Sequence, residues 1–110
     1  MKILIVDDEH IALSSLRRVL RWRRFGEVDI CPEGSEAVEL IRGGAYDIVL
    51  LDLLMPGVDG LQVLESTRAY VPQTEFVILT AVDDVQTAVK ALRLGAYDYL
   101  VKPIDNQRLF

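Results

Sequence analysis

The sequence predicts an α/β protein in which one parallel sheet is covered by helices on both faces. Five short apolar runs alternate with segments of helical spacing along the chain. The first, third and fourth runs are almost continuously apolar, which is typical of strands buried on both faces of a parallel sheet. Because strands and helices alternate strictly, each strand is expected to join the next through a right-handed helical crossover.

The five runs predict five strands, at residues 2–6, 27–31, 47–51, 75–80 and 97–101. For an open sheet of five strands, the flavodoxin-like order 2-1-3-4-5 is the natural arrangement. Its switch point lies between the first and third strands, and ligands bind there at the carboxyl ends of the strands. The sequence therefore predicts both the fold and the edge of the sheet that carries the site.

Apolar stripes with helical spacing predict a helix after each of the first four strands. The stripes are Ala12, Leu16, Val19 and Leu20; Ala37, Leu40 and Ile41; Leu61, Val63 and Leu64; and Val85, Ala88, Val89 and Leu92. Gly43-Gly44 and Gly95 are predicted to end the second and fourth helices. A fifth helix is expected to begin near Ile104 or Asp105 and to be short or truncated, since the chain ends at Phe110.

Length and composition fit a single domain over residues 1–110. Apolar residues make up 51% of the chain, which is enough to form a core. The apolar run near the N-terminus is too short for a signal peptide or a membrane helix. We therefore expect a soluble, cytoplasmic domain that makes no contact with a membrane.

The formal net charge of −5 argues against direct nucleic-acid binding, because phosphate contacts dominate that affinity. One predicted helix nevertheless carries a run of arginines, Arg17, Arg18, Arg21, Arg23 and Arg24. The run is interpreted as a solvated helix face, with a docking surface for an acidic partner as the alternative. Trp22 is expected to pack, and Cys31, the only cysteine, is expected to be a small buried residue on a strand.

Polar side chains follow four of the predicted strands at their carboxyl ends. They are Asp7-Asp8-Glu9, Asp52, Thr80-Ala81 and Lys102-Pro103. Clustered carboxylates repel one another, and a hard divalent cation such as Mg²⁺ relieves that repulsion. A lysine and a hydroxyl nearby suit an anion, of which a phosphoryl group is the obvious example. The crevice therefore predicts a site for Mg²⁺ and a phosphoryl group.

Each of these residues also has an ordinary structural interpretation. Asp7 and Asp8 could begin a helix, and Asp52 could cap a turn. Thr80 could be a plain strand end, and Lys102 a surface lysine before a proline. The functional interpretation depends on all of them meeting at one edge of one sheet.

Four motifs resemble those of receiver domains in two-component response regulators. They are the opening ILIVDDE at 3–9, the phosphoacceptor loop DLLMPGVDG at 52–60, the switch strand LTA at 79–81 and the closing motif GAYDYLVKP at 95–103. Together they span essentially the whole chain. The resemblance implies a signalling domain that catalyses only its own phosphorylation and dephosphorylation.

The resemblance also implies a role for each acidic residue. Asp52 is the phosphoacceptor, and Asp8 and Asp52 bind Mg²⁺ directly together with the backbone carbonyl of Leu54. Asp7 acts mainly through water. Lys102 pairs with the phosphoryl oxygens.

A switch is implied by the same resemblance. The Thr80 hydroxyl and the Ala81 amide bind the phosphoryl group, and Tyr99 turns inward once Thr80 moves. A cis bond before Pro103 aims the lysine into the pocket. The change then reaches the face formed by the fourth helix, the fifth strand and the fifth helix, through which a homodimer is expected.

The implied partners are a sensor histidine kinase and a downstream effector domain, expected to be transcriptional, in a longer chain of which residues 1–110 are the N-terminal part. Ile11 and Ser15 occupy the positions at which receivers dock kinases, with simple surface exposure as the alternative. A degenerate receiver that signals by protein contact without phosphorylation also remains open. A haloacid-dehalogenase-type phosphatase is disfavoured, because it needs an aspartate where Leu54 stands.

Overall fold

A computed structural model describes residues 1–23 and 26–102, except the side chains of His10 and Ala12. Its elements in chain order are β1 (Lys2–Val6), α1 (His10–Trp22), β2 (Glu27–Cys31), α2 (Gly34–Gly43), β3 (Ile48–Leu51), α3 (Gly60–Thr67), a 3-10 turn (Arg68–Tyr70), β4 (Glu75–Thr80), α4 (Val85–Arg93) and β5 (Asp98–Val101). β3 and β5 each begin one residue later than predicted. The predicted fifth helix lies outside the described residues.

The five strands form one parallel sheet in the order β2-β1-β3-β4-β5, which confirms the predicted fold. Val6 at the end of β1 pairs with Cys31 of β2 and Leu51 of β3. At the other side of the sheet Thr80 of β4 pairs with Val101 of β5. β1, β2 and β3 therefore end level, whereas β4 and β5 extend two residues further, because Leu51 at the end of β3 pairs with Ile78. The residues that follow the strands lie along one edge of the sheet.

Alternate residues of the strands enter two separate cores, one on each face of the sheet. Leu4 and Val6 pack with residues of α2, α3 and α4, whereas Ile3 and Ile5 pack with residues of α1. This alternation follows from the pleat, which directs successive side chains to opposite faces. Helices therefore cover both faces, as the continuous apolar runs predicted.

The apolar stripe of α4 is only partly used by this core. Ala91 is completely buried, but Val85, Val89 and Leu92 are 77%, 40% and 47% exposed. The small side chain of Ala91 faces the sheet, and the larger apolar side chains of the helix are left outside the contact. The predicted helix is correct. Of its predicted stripe, Ala88 is partly buried, whereas Val85, Val89 and Leu92 form an exposed apolar surface.

The burial of Cys31 and of Trp22 was also predicted from the sequence. Cys31 is buried at the end of β2, as expected. Trp22 was expected to pack, and this expectation is wrong, because the side chain is 78% exposed at the last residue of α1. Within the described residues, no helix is long and apolar enough to cross a membrane.

Candidate functional site

Asp7 and Asp52 are placed side by side because their strands are neighbours in the sheet. Asp7 follows β1, and its amide donates to the Cys31 carbonyl at 3.1 Å. Asp52 follows β3, and its amide donates to the Val6 carbonyl at 2.9 Å. Both carboxylates are only 5% exposed, so the sheet holds two acids in a largely dehydrated position.

A third carboxylate, that of Asp8, joins this pair at a more exposed position. One oxygen from each of Asp7, Asp8 and Asp52 lies within 4.8 Å of the others. Oxygen ligands at such spacing, with one side open, suit a hard divalent cation that keeps several of its waters. The donor set therefore fits the Mg²⁺ predicted from the sequence.

The ammonium group of Lys102 reaches the same cluster from the end of β5. Its Nζ lies 2.6 Å from Asp7 Oδ2 and 3.1 Å from Asp52 Oδ2. Its backbone amide donates to the Thr80 carbonyl at 2.8 Å, which continues the pairing of β4 and β5. Burial alone would lower the pKa of Lys102, but the hydrogen bonds to Asp7 and Asp52 and their charges outweigh it and raise this pKa. The side chain therefore remains an ammonium ion at neutral pH.

The loop after Asp52 is folded back on the strand end. The Leu54 amide donates to Asp52 Oδ1 at 3.1 Å, and the Gly60 amide donates to the Leu53 carbonyl at 3.3 Å. Gly60 approaches so closely that an added Cβ would lie 2.2 Å from the Asp52 carbonyl oxygen. Only glycine fits this position, and the loop is consequently closed at its base.

A hydrogen-bonded path connects Thr80 with Tyr99 through the loop between β4 and α4. Thr80 is fully buried, and its Oγ1 accepts from the Val82 amide at a long 3.5 Å. The Tyr99 hydroxyl donates to the Val82 carbonyl at 2.6 Å. Burial, followed by the charges of Asp84, Asp83 and Asp52, raises the pKa of Tyr99. The phenol therefore stays protonated and remains a donor.

The remaining predicted positions are distributed around this cluster. Ala81 is exposed beside Thr80. Ile11 and Ser15 are exposed on α1, which begins immediately after the acidic run, and Ile11 is 83% exposed. The predicted cis bond at Pro103 lies outside the described residues.

Some contacts of the site were missed by sequence reasoning. The close approach of Gly60 to Asp52 and the link from Val82 to Tyr99 both depend on how the backbone closes. One signal was available, since Asp59 and Gln62 have the spacing of a capping box and form one at the start of α3. That box anchors the far end of the loop at residues 52–60.

A doubly wound parallel sheet with clustered carboxylates, a paired lysine and a buried threonine at its carboxyl edge is the arrangement of a regulatory signalling domain. The chain belongs to the response regulator receiver domain family, whose model matches residues 3–110. Members of this family are regulatory modules of two-component systems.

Curated relatives are transcriptional and other response regulators. The chain is 37% identical over 107 residues to the transcriptional regulatory protein ZraR of Klebsiella oxytoca, covering 97% of this chain and 24% of the relative. It is 38% identical over 108 residues to the regulatory protein AtoC of Escherichia coli, covering 98% of this chain and 23% of the relative. It is 38% identical over 109 residues to the response regulator MprA of a Mycobacterium species, a match that covers 99% of this chain and 47% of the relative. The chain thus spans a quarter to a half of these relatives.

Solved structures of receiver domains and response regulators are similar to this chain. A CheY-like receiver domain protein from Methanospirillum hungatei matches with a TM-score of 0.92 at 28% identity, covering 98% of this chain and 86% of that one. The BeF3-activated receiver domain of RstA from Klebsiella pneumoniae matches with a TM-score of 0.91 at 30% identity, covering 99% of this chain and 92% of that one. A third structure is a response regulator from Burkholderia pseudomallei, solved with a phosphorylated aspartic acid, calcium ion and citrate. It matches with a TM-score of 0.90 at 27% identity, covering 98% of this chain and 63% of that one.

Proposed function

We propose that this domain accepts a phosphoryl group from the phosphohistidine of a sensor histidine kinase onto Asp52. The observation that carries the proposal is the buried Asp52 carboxylate, which has Lys102 at 3.1 Å and the Asp7 and Asp8 carboxylates beside it. The phosphorylated aspartic acid in the Burkholderia pseudomallei relative supports the same chemistry here.

In the proposed reaction an oxygen of Asp52 attacks the phosphorus in line, the O–P bond forms, and the P–N bond to the histidine breaks. Charge on the transferred group is neutralised by Lys102, whose ammonium is already held at the carboxylate. Bound Mg²⁺, held by Asp8, Asp52 and the Leu54 carbonyl and by Asp7 through water, would supply further neutralisation. The domain acts only on itself, both in gaining and in losing this group.

The charge of the added phosphoryl group then acts on Thr80. The phosphoryl oxygens accept from the Thr80 hydroxyl and the Ala81 amide, which draws Thr80 toward the site. Because the Val82 amide bonds to Thr80 and the Val82 carbonyl to Tyr99, this movement disturbs both contacts. Tyr99 thereby couples the site to α4 and β5, as a shift between two existing states.

The remainder of the regulator is proposed from the relatives. Since they are two to four times longer than the matched region, we propose that residues 1–110 form an N-terminal domain that controls a transcriptional effector domain in the cytoplasm. Ile11 and Ser15, both exposed close to the acidic cluster, are proposed to contact the kinase.

Mg²⁺ is expected to stabilise the domain by relieving repulsion among the three carboxylates. At about 100 times the dissociation constant, a ligand that binds only the folded state adds about 2.7 kcal/mol, and a weak site gives less at ordinary concentrations. Asp8→Ala should erase the effect, whereas Glu9→Ala, which removes an exposed acid outside the cluster, should keep it. Thermal unfolding between zero and about 20 mM Mg²⁺ tests this linkage, and an unchanged melting temperature contradicts the metal site.

A homodimer is proposed through the exposed surface of α4 and β5. Val85, Val89 and Leu92 supply apolar area, while Lys90 and Arg93 on α4 and the exposed Asp98 on β5 supply opposite charges for a two-fold contact. A cavity of about 450 Å³ along α4 includes Val85, Val89 and Lys90.

Val89→Glu is expected to weaken this dimer by at least about tenfold, because it places a charge in the centre of the apolar surface. Ser14→Glu, an exposed substitution on α1 at the other face of the sheet, is the matched control and should leave the dimer intact. Light scattering of the phosphorylated protein over a concentration series measures both variants. Equal dimerisation of Val89→Glu and the parent would show that this surface is not the interface.

A further inference from the structure

The connection between β2 and α2 contacts the site at two points. At its start, the Cys31 carbonyl accepts from the amide of Asp7 at 3.1 Å. At its end, Gly34, the first residue of α2, is buried against the phosphoacceptor loop. A Cβ added at Gly34 would lie 2.0 Å from the Val58 carbonyl oxygen, 3.0 Å from its carbon and 3.1 Å from Val58 Cβ. The backbones of α2 and the loop are therefore in direct contact.

The loop that receives this contact is fixed at both ends. Asp52 is held in line with β3 by its hydrogen bond to the Val6 carbonyl at 2.9 Å. Gly60 is held against the backbone of Asp52 and Leu53 and begins the capped helix α3. The part of any displacement at Val58 that α2 does not take up is therefore concentrated within residues 54–58.

We propose that Gly34 is a positioning residue for the phosphoacceptor loop. Its bare Cα sets how closely α2 approaches Val58 and thereby places residues 54–58 relative to the carboxylate cluster. The affected group is the Leu54 carbonyl, the protein ligand of Mg²⁺ that comes from this segment in the proposed function, on which this inference rests. Asp52 itself, held by β3, is moved less.

The helix itself gives no reason for glycine at this position. Alanine is the better helix former, and Gly34 is not among the glycines with positive φ. Gly43, at the other end of the same helix, has nothing within 4 Å of an added Cβ. The two glycines therefore form a matched pair, in which the same substitution meets the loop at one position and open space at the other.

The experiment compares Gly34→Ala, Gly43→Ala and the parent by two-dimensional ¹⁵N NMR during titration with MgCl₂. In Gly34→Ala, α2 and Val58 must separate by about 1 Å, and residues that orient metal ligands typically change metal affinity 10–100-fold when altered. We expect the Mg²⁺ dissociation constant to rise at least about tenfold, with shifted amides at 54–58 already in metal-free protein. Gly43→Ala should match the parent in both measurements.

A variant that only lowers the overall stability distinguishes an effect on the position of the loop from an effect on folding. Val28→Ala removes buried volume from the core under α1, on the other face of the sheet, and should bind Mg²⁺ like the parent while unfolding at a lower temperature. Should Gly34→Ala not fold alone, it is combined with Gly43→Ala, which adds helix propensity. Failure of this double variant to fold would overturn the proposal, because the contact would then serve the whole fold.

Two further outcomes are informative. A dissociation constant and loop shifts within error of the parent in folded Gly34→Ala would also overturn the proposal. If the parent itself binds no Mg²⁺, the proposed metal site fails, yet the shifts of residues 54–58 in metal-free protein still decide whether Gly34 positions the loop.

Discussion

Asp52→Asn is expected to abolish labelling of the domain by acetyl phosphate or phosphoramidate in the presence of Mg²⁺. The amide lacks the anionic oxygen that attacks phosphorus, and it also removes a partner of Lys102 and a member of the carboxylate cluster. Intact-protein mass spectrometry should find one added phosphoryl group in the parent and none in the variant. Asp83→Asn, which changes an exposed aspartate before α4, is the control and should label normally.

Two results would contradict this assignment in different ways. Equal labelling of Asp52→Asn at neutral pH would place the phosphoacceptor elsewhere. Absence of labelling in the parent, with Mg²⁺ and donor present, would favour the alternative of a degenerate receiver that acts by protein contact alone. The closely paired Asp7, Asp52 and Lys102 argue against that alternative.

The phosphorylated domain is expected to lose its phosphoryl group slowly, and polar residues at two positions should accelerate the loss. The resemblance to receivers implies that self-hydrolysis is tuned by the side chains two residues after the proposed phosphoacceptor and two after the proposed switch threonine, which here are Leu54 and Val82. Neither can hold an attacking water in line with phosphorus. One well-placed polar contact typically changes a rate about 10²-fold, so Leu54→Asn with Val82→Glu should release phosphate up to about that much faster.

The structure places Leu54 beside Asp52 and Val82 beside Thr80. The Leu54 amide bonds to Asp52, and its side chain is 57% exposed, so a polar replacement can reach water. The Val82 backbone lies between Thr80 and Tyr99. Phosphate release is measured from labelled parent, each single variant and the double variant. Equal decay in all four proteins would mean that the rate is set elsewhere.

The sheet and the edge at which Asp7, Asp52 and Lys102 lie could be predicted from the pattern of residues along the chain. Continuous apolar runs predicted buried parallel strands, and strict alternation with helices predicted an open α/β sheet, for which five strands favour the order 2-1-3-4-5. Once that order was known, Asp7 and Asp52 had to be neighbours, because β1 and β3 pair and end level. Lys102 follows β5, two strands from β3, and its long side chain reaches both carboxylates. Such predictions succeed because the period of a pattern and the end of a strand are local properties of a chain.

How much of each apolar stripe is covered, and which backbones touch, could be read only from the folded chain. The sheet buries Ala91 but leaves Val85 and Trp22 exposed, because periodicity reports the shape of a helix and not the extent of the surface that packs on it. Gly34 meets Val58, and Gly60 meets Asp52, at distances that no motif encodes. These contacts join segments that are brought together only by packing, where the space left for a single Cβ atom depends on the whole arrangement.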